Sequence, residues 1–359
     1  MLKKAAVMFL LCAGMAMWVG CVKTSSRYLY ASIPQSAQIV EYREDPNSGV
    51  LTILSTSPIT AGPAVQSIVV TPNKQFLYAA NSGANNVSRF AIDGAGSLTE
   101  MTPRTTVGTA PNLVVMDSAG QFLYVANAGS NDIWVFQIDS SSGNLTQVGS
   151  AFQIGISPLN MKLSPSGTVL YVTGAAQLAG QPGYLETLSV NTSATPPLSL
   201  IQVTQPGSSP YGLAINPAGT SLYTANFGDN TISEFTINSD GTLTQLTGSP
   251  IGETYTGPVS LLIDKSGKYL YVANQQSSGN LAGYAIGGDG GLTLLTNSPF
   301  ATGAQPSFIA SDPGGGFLFV GNQSSPVVQS FRLDASSGTL TSVASYTVPG
   351  TPTSIVVSP

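Results

Sequence analysis

The sequence predicts an all-β, seven-bladed β-propeller with four-stranded antiparallel blades, and three observations carry that expectation. First, one strand core recurs seven times, as YLYAS (28–32), FLYAAN (76–81), FLYVAN (122–127), VLYVTG (169–174), SLYTAN (221–226), YLYVAN (269–274) and FLFVGN (317–322). Second, successive copies begin 48, 46, 47, 52, 48 and 48 residues apart, a period that suits one four-stranded blade. Third, flanking segments repeat in step with the core. An apolar segment precedes each copy after the first, such as SIVVTP, LVVMDS or NMKLSP, and a third strand follows most of them, such as VSRFAI (87–92), IWVFQI (133–138) or ISEFTI (232–237).

Each element has a physical reason. A blade is sandwiched between two neighbours, so both faces of its sheet must be apolar, and Tyr, Phe, Leu and Val in the second strand fill those interfaces. A Gly turn leads to an outer strand opening in Leu-Thr, as GVLT, GSLT, GNLT, GTLT and GGLT, with PPLSL in the fourth blade. Asn81, Asn127, Asn226, Asn274 and Asn322 end their strands, where an Asn side chain can bond the following backbone turn. Three of these turns read N-x-G-x-N, from Asn81, Asn127 and Asn226. The first copy has no inner strand before it, and SIVVSP (354–359) has no second strand after it. The last segment is therefore expected to complete the first blade and close the ring, leaving no orphan blade edge.

Composition narrows the partners. Of 359 residues, 42% are hydrophobic and only 8% charged, against about 25% charged in an average soluble domain. Such a surface must be covered by Ser, Thr, Asn, Gln and Gly, as in exported β-proteins. The formal charge is -5 without a Lys/Arg cluster, which excludes a nucleic-acid footprint. There is no histidine, which excludes a Ser-His-Asp triad and any His-ligated metal.

Residues 1–20 read as a signal peptide: Lys3 and Lys4 precede an apolar run, Ala5 to Met17, that is shorter than the ~20 residues of a membrane span. The stretch WVGC resembles a bacterial lipobox, with Trp18 in place of the usual Leu and Cys21 at the modified position. Residues 21–26 are then a short tether and 27–359 the propeller. Cys12 leaves with the leader, so a mature chain keeps one cysteine and forms no internal disulfide. The expectation is an exported monomer in the bacterial cell envelope, lipid-anchored at Cys21, with no other membrane contact.

The LYVAN core, the Asn-Gly turn, the D/N-x-x-x-G-x-L-T connection and the SP-G-x-x-LYV lead-in resemble the lactonase family of seven-bladed propellers, related to YVTN-type surface repeats. The resemblance covers about residues 27–359. It implies a site at the central mouth. It also implies an activity like that of 6-phosphogluconolactonase, which opens a phosphorylated sugar lactone, or of muconate-type cycloisomerases. Arg, Glu and His have been proposed at that mouth in family members; the histidine has no counterpart here, and no Arg or Glu matches a local family motif.

The residues themselves supply candidates. Six inner strands follow a lead-in proline (Pro111, Pro158, Pro210, Pro258, Pro306, Pro352), and Pro63 lies two residues further back in the remaining one. Residues just inside should rim the mouth as ligand-binding groups: Gln66, Asn112, Asn160, Tyr211, Ser260, Ser307 and Ser354. All are neutral hydrogen-bonding groups, suited to a polyol and poorly suited to phosphate. At the aligned fourth position the copies read Val69, Val115, Lys162, Ala214, Leu262, Ala310 and Val356, so Lys162 stands alone. It can bind an anion, act as a base with a lowered pKa, or reach into a water-filled tunnel. Arg104 and Glu253 are expected in inter-blade loops, and with Lys162 they form a candidate catalytic trio for lactone opening, beside the alternative of solvated loop charges. Asp132 and Asp229 fall near the same face. The fourth repeat is longest and replaces its turn and third strand with residues 175–201, a candidate binding insertion or neutral drift. No metal and no cofactor are expected.

Two functions follow: a non-catalytic module binding a glycan, a small lactone or an envelope protein, or a 6-phosphogluconolactonase-like hydrolase. The neutral rim and low charge favour the first.

Overall fold

A computed structural model describes residues 26–177 and 181–359. The leader, Cys12, Cys21 and residues 178–180 of the fourth-blade insertion lie outside the described residues. Seven antiparallel sheets form a ring, each running inner, second, third and outer strand from the centre outwards. The inner strands are Val65–Val70, Pro111–Met116, Ile156–Leu163, Pro210–Ile215, Pro258–Ile263, Pro306–Ser311 and Ser354–Val357. The last of these pairs with Arg27–Ile33, with Ser354 opposite Ser32 and Val357 opposite Leu29. Blade 1 is thus built from both ends of the chain, as the strand count requires, and no blade edge is left open there.

Hydrophobic burial falls into seven clusters, one for each interface between neighbouring blades. Between blades 1 and 2, for example, Tyr28, Tyr30 and Ile39 pack on Ile68, Leu77 and Phe90. The second strands are the most deeply buried elements, with all six residues of Phe76–Asn81 buried.

The repeated tyrosine does more than fill space. Its hydroxyl donates to a glycine carbonyl in the outer turn of the next blade: Tyr30 to Gly96 (2.7 Å), Tyr78 to Gly143 (2.7 Å), Tyr171 to Gly241 (2.9 Å), Tyr223 to Gly290 (2.7 Å) and Tyr271 to Gly338 (2.7 Å). Phe319 has no hydroxyl to offer, and Tyr124, which faces the divergent fourth blade, makes no such bond among the described residues. The glycines are required there. Gly143 has φ +70°, and a Cβ on it would stand 2.8 Å from the Phe76 ring of the preceding blade.

The strand-ending asparagines act differently from expectation. Asn81, Asn127, Asn226, Asn274 and Asn322 are all 0% exposed. Their amides donate to third-strand side chains instead of the turn backbone: Asn81 to Ser88 (2.9 Å), Asn127 to Asp132 (2.7 Å), Asn226 to Ser233 (2.9 Å). The last Asn of each N-x-G-x-N turn (Asn85, Asn131, Asn230) takes a left-handed φ of 51–54°. Asn85 and Asn230 then accept the Ala110 and Gly257 N–H of the next blade's lead-in, both at 2.8 Å. These asparagines hold blades together.

Candidate functional site

Inner-strand lead-ins and second-to-third-strand turns share one face of the ring. There each inner strand of blades 2 to 7 carries a β-bulge at one position. In blade 3, Pro111 pairs with Asn127 and Leu113 with Ala126, which leaves Asn112 as the extra residue. The same shift leaves Gln66, Leu159, Tyr211, Val259 and Ser307 unpaired in their blades. A bulge re-aims one side chain without changing the rest of the ladder. Two successive residues of one strand therefore both reach the mouth.

The result is two stacked rings around a mouth of about 170 Å³. The bulged residues and Thr353 form the outer ring, and Ser67, Leu113, Asn160, Ser260, Phe308 and Ser354 lie one step in. All seven rim residues expected from the sequence line this mouth. They come from two levels, however: Gln66, Asn112, Tyr211 and Ser307 from the bulge, Asn160, Ser260 and Ser354 from the residue after it. A count from the proline does not separate the two levels. It also passes over Ser67, Leu159, Val259, Phe308, Gln323 and Thr353, which complete the lining together with Leu113. For Ser67, Leu159, Val259 and Phe308 the signal would be the bulge, which no charge marks, whereas Gln323 comes from the turn after Asn322 and Thr353 from the lead-in to the last strand.

Several rim groups already hold adjacent inner strands together. Ser354 accepts the Ile68 N–H (3.2 Å), Ser67 that of Val114 (3.2 Å) and Ser260 that of Ile309 (3.3 Å). Asn112 donates to the Pro158 carbonyl (2.7 Å) and Ser307 to that of Pro352 (3.2 Å). Other groups are open to a ligand. The Asn112 Oδ1 is buried without a partner, and Tyr211 is 41% exposed beside Phe227, at 42%, on the adjoining turn of blade 5. Among the described residues none that lines the mouth carries a charge.

Below the mouth lies a tunnel of about 360 Å³, lined largely by Val, Leu, Ile, Met and Phe, with Lys162 in its wall. Lys162 pairs with Tyr171 at the register where Val69 and Val115 pair with Tyr78 and Tyr124. Its surface is open to the lumen while protein surrounds it on every side, and that burial pushes its pKa down. It makes no ion pair among the described residues, and no Asp or Glu lines the tunnel.

The other two members of the expected catalytic trio are elsewhere. Arg104 lies in the outer strand Leu98–Thr106, not in a loop, because Thr105 and Thr106 continue the ladder opposite Val87 and Asn86. Its guanidinium grips Glu100, four residues earlier on the same strand, through two bonds of 2.7 and 3.0 Å on the blade periphery. Glu253 does lie in an inter-blade loop but faces inward. It is 9% exposed, and its Oε2 accepts the Tyr284 hydroxyl at 2.7 Å. Burial pushes its carboxyl up to about 7, against the lowering effect of that hydroxyl and nearby backbone N–H groups. Lys162, Glu253 and Arg104 are thus three separate features. Asp132 and Asp229 cap their own turns, accepting from Asn127 and Ser130, and from Ser208 and Thr231.

Sequence reading also passed over several buried acids, Glu41, Glu44, Glu186, Glu234, Asp264 and Asp312. Glu186, in the third strand of blade 4, accepts the Gly155 N–H at 2.7 Å. Glu44 lies at the ring closure with Arg27, which sits 3.9 Å from it and 2.6 Å from Asp312. Burial first, and then the charge of Asp312, raises the Glu44 carboxyl to about 7, against the pull of Arg27. Among the described residues no group of three or more His, Cys, Asp or Glu is placed to hold a metal ion.

Residues 56–157, 155–260 and 247–357 each match the family described as lactonase, 7-bladed beta-propeller. A 6-phosphogluconolactonase of Yersinia pestis is 24% identical over 327 residues, covering 89% of this chain and 94% of that protein. One from Erwinia tasmaniensis is 24% identical over 334 residues, covering 92% and 98%. Among solved structures, a periplasmic gluconolactonase of Pseudomonas aeruginosa superposes with a TM-score of 0.75 at 19% identity, over 93% of this chain and 99% of that one. A Lactobacillus plantarum protein superposes with a TM-score of 0.77 at 22% identity, over 92% and 99%.

Proposed function

The chain belongs to the lactonase family of seven-bladed β-propellers, and on that premise we propose that its tunnel mouth binds a neutral polyhydroxylated ligand, a sugar lactone or the end of a glycan, without turning it over. The observation that carries this reading is the mouth itself: two rings of amide, hydroxyl and apolar side chains with no charged member. Hydroxyls of a sugar ring match Asn112, Asn160 and Gln66, and the exposed ring of Tyr211 offers an apolar face for its C–H surface. A phosphate would find no Arg or Lys within the rim.

A second reading, lactone hydrolysis, is favoured by one feature, the amine of Lys162 just below the mouth, and agrees with the names of the relatives. Hydrolysis needs a base to activate water and a donor for the developing oxyanion. Lys162 can serve one role, and rim amides the other, but no carboxylate stands beside them.

Export and lipid attachment at Cys21 belong to the same proposal and rest on the leader, the lipobox-like WVGC and the low surface charge. Arg27, the first strand residue, contacts Asp312 in an inner-to-second-strand turn, on the face opposite the mouth. A tether leaving there keeps the mouth clear of the membrane. The test is calorimetry and turnover on the purified mature domain with 6-phosphogluconolactone and glucono-1,5-lactone. Binding of the unphosphorylated lactone with no hydrolysis above the spontaneous rate is expected. Turnover above that rate replaces the first reading with the second.

A further inference from the structure

We propose that Lys162 makes the tunnel a carboxylate subsite, so that the preferred ligand is a sugar acid: its hydroxyls held by the mouth rings and its carboxylate taken by the Lys162 ammonium. This rests on the mouth reading above and narrows its ligand class.

Four observations lead to it. Among the described residues Lys162 is the single cation in the tunnel wall, and no acid lines that wall. Lys162 is exposed to the lumen among Val, Leu and Met side chains of the wall with no counter-ion among the described residues, so an anion that enters meets an uncompensated positive charge. The six other inner strands place Val, Ala or Leu at this register, so packing does not require an amine here. Finally, Lys162 is two residues from Asn160 on the same strand, about 7 Å along it, and both side chains point the same way. A ligand whose hydroxyls meet Asn160 thus has its next few atoms within reach of a flexible four-methylene amine. The neutral walls leave the field of this one charge unopposed and concentrate it along the lumen.

The step is binding alone, and no bond is made or broken. The probes are sodium D-gluconate and D-glucitol, which have the same six-carbon chain but carry a carboxylate and a hydroxymethyl group at the end, together with glucono-1,5-lactone. With the wild-type mature domain, calorimetry should give gluconate an affinity about tenfold or more above that of glucitol, as a charge-assisted hydrogen bond implies. Lys162→Val, which copies the residue of three other blades, should bring gluconate down to the glucitol level and leave lactone binding in place. Lys162→Arg should keep the preference, and melting curves of both variants report folding. Equal affinity for the two probes in the wild type, or a gluconate preference that survives in Lys162→Val, overturns this inference while lactone binding keeps the mouth reading. Lys162-dependent gluconate binding without any binding of glucitol or lactone overturns the neutral-ligand reading and leaves this one. No binding of any probe removes both.

Discussion

Replacing Glu253 by Gln should stabilise the fold in a pH-dependent way, and the structure sets the size and sign. The carboxyl is buried between blades 5 and 6, with one oxygen on the Tyr284 hydroxyl and the other, Oε1, unpartnered. It titrates at about 7 in the folded protein, raised from 4.5 by burial. Between those two values the folded chain holds a proton that the unfolded chain has released. Stability therefore falls as pH rises from about 4.5 to 7, and above 7 the ionised carboxyl costs the fold about 3 kcal/mol. Gln keeps an acceptor for Tyr284 and never ionises. Wild type and Glu253→Gln should match near pH 4.5, and the variant should lead by up to about 3 kcal/mol at pH 8. Urea unfolding of residues 27–359, followed through Trp134, the single tryptophan of that stretch, measures the gap. Glu44, which also titrates at about 7, contributes equally to both proteins and cancels in the difference. A gap that does not change between pH 4.5 and 8, or a variant weaker at pH 8, would refute the reasoning.

Other expectations are quickly checked. Tyr223→Phe leaves the buried Gly290 carbonyl without its 2.7 Å donor and should cost about 1–2 kcal/mol in thermal melts, whereas Tyr124→Phe, which gives up no such bond, should cost less. Arg104→Ala removes a peripheral pair with Glu100 and should shift stability by at most about 1 kcal/mol. Lactone or gluconate affinity should be unchanged in that variant; a loss would place Arg104 in the site. Cys21→Ser should abolish palmitate incorporation and release the protein from the membrane fraction in cells that export it, and unchanged labelling would end the lipid-anchor reading.

Blade number, strand order and closure were legible because they are set by a short apolar strand core repeated seven times with its flanking strands in step, and by which strand the first and last copies lack. The tyrosine and glycine of the repeat were visible as letters but not as partners, since the bond from Tyr78 to Gly143 joins residues of different blades. Arg104 shows a limit of loop assignment. Arg104 follows Pro103, yet the outer strand continues past both to Thr106, with a register shift that absorbs the irregularity. The rim was readable to within one residue, and the residual ambiguity is the bulge: a conformation that places two neighbours at the mouth and requires no particular side chain of either.

Deviation from the repeat marks candidate function only when the copies are aligned by structure. Lys162 stood out because its strand keeps the common spacing from the lead-in proline. Glu253 deviates as strongly, yet the sequence offered it only as a loop charge and not as a departure from the repeat. Its N–H bonds the Asn230 carbonyl, as those of Val107, Ile154 and Val348 bond Asn85, Asn131 and Pro326, so it fills a slot that is apolar and buried in those blades. The loop to Pro258 is one residue longer than its counterparts, which slides Glu253 off that column in any count from the proline. Its partner is displaced in chemistry too: Tyr284 stands opposite Leu270 where Phe90, Phe136, Phe235 and Phe331 stand opposite their own leucines. An acid in an apolar slot and a hydroxyl on a phenylalanine site compensate each other across one interface. That contact places Glu253 at the joint between two blades, away from the mouth, and leaves Lys162, whose charge is uncompensated among the described residues, as the deviation that points to a ligand.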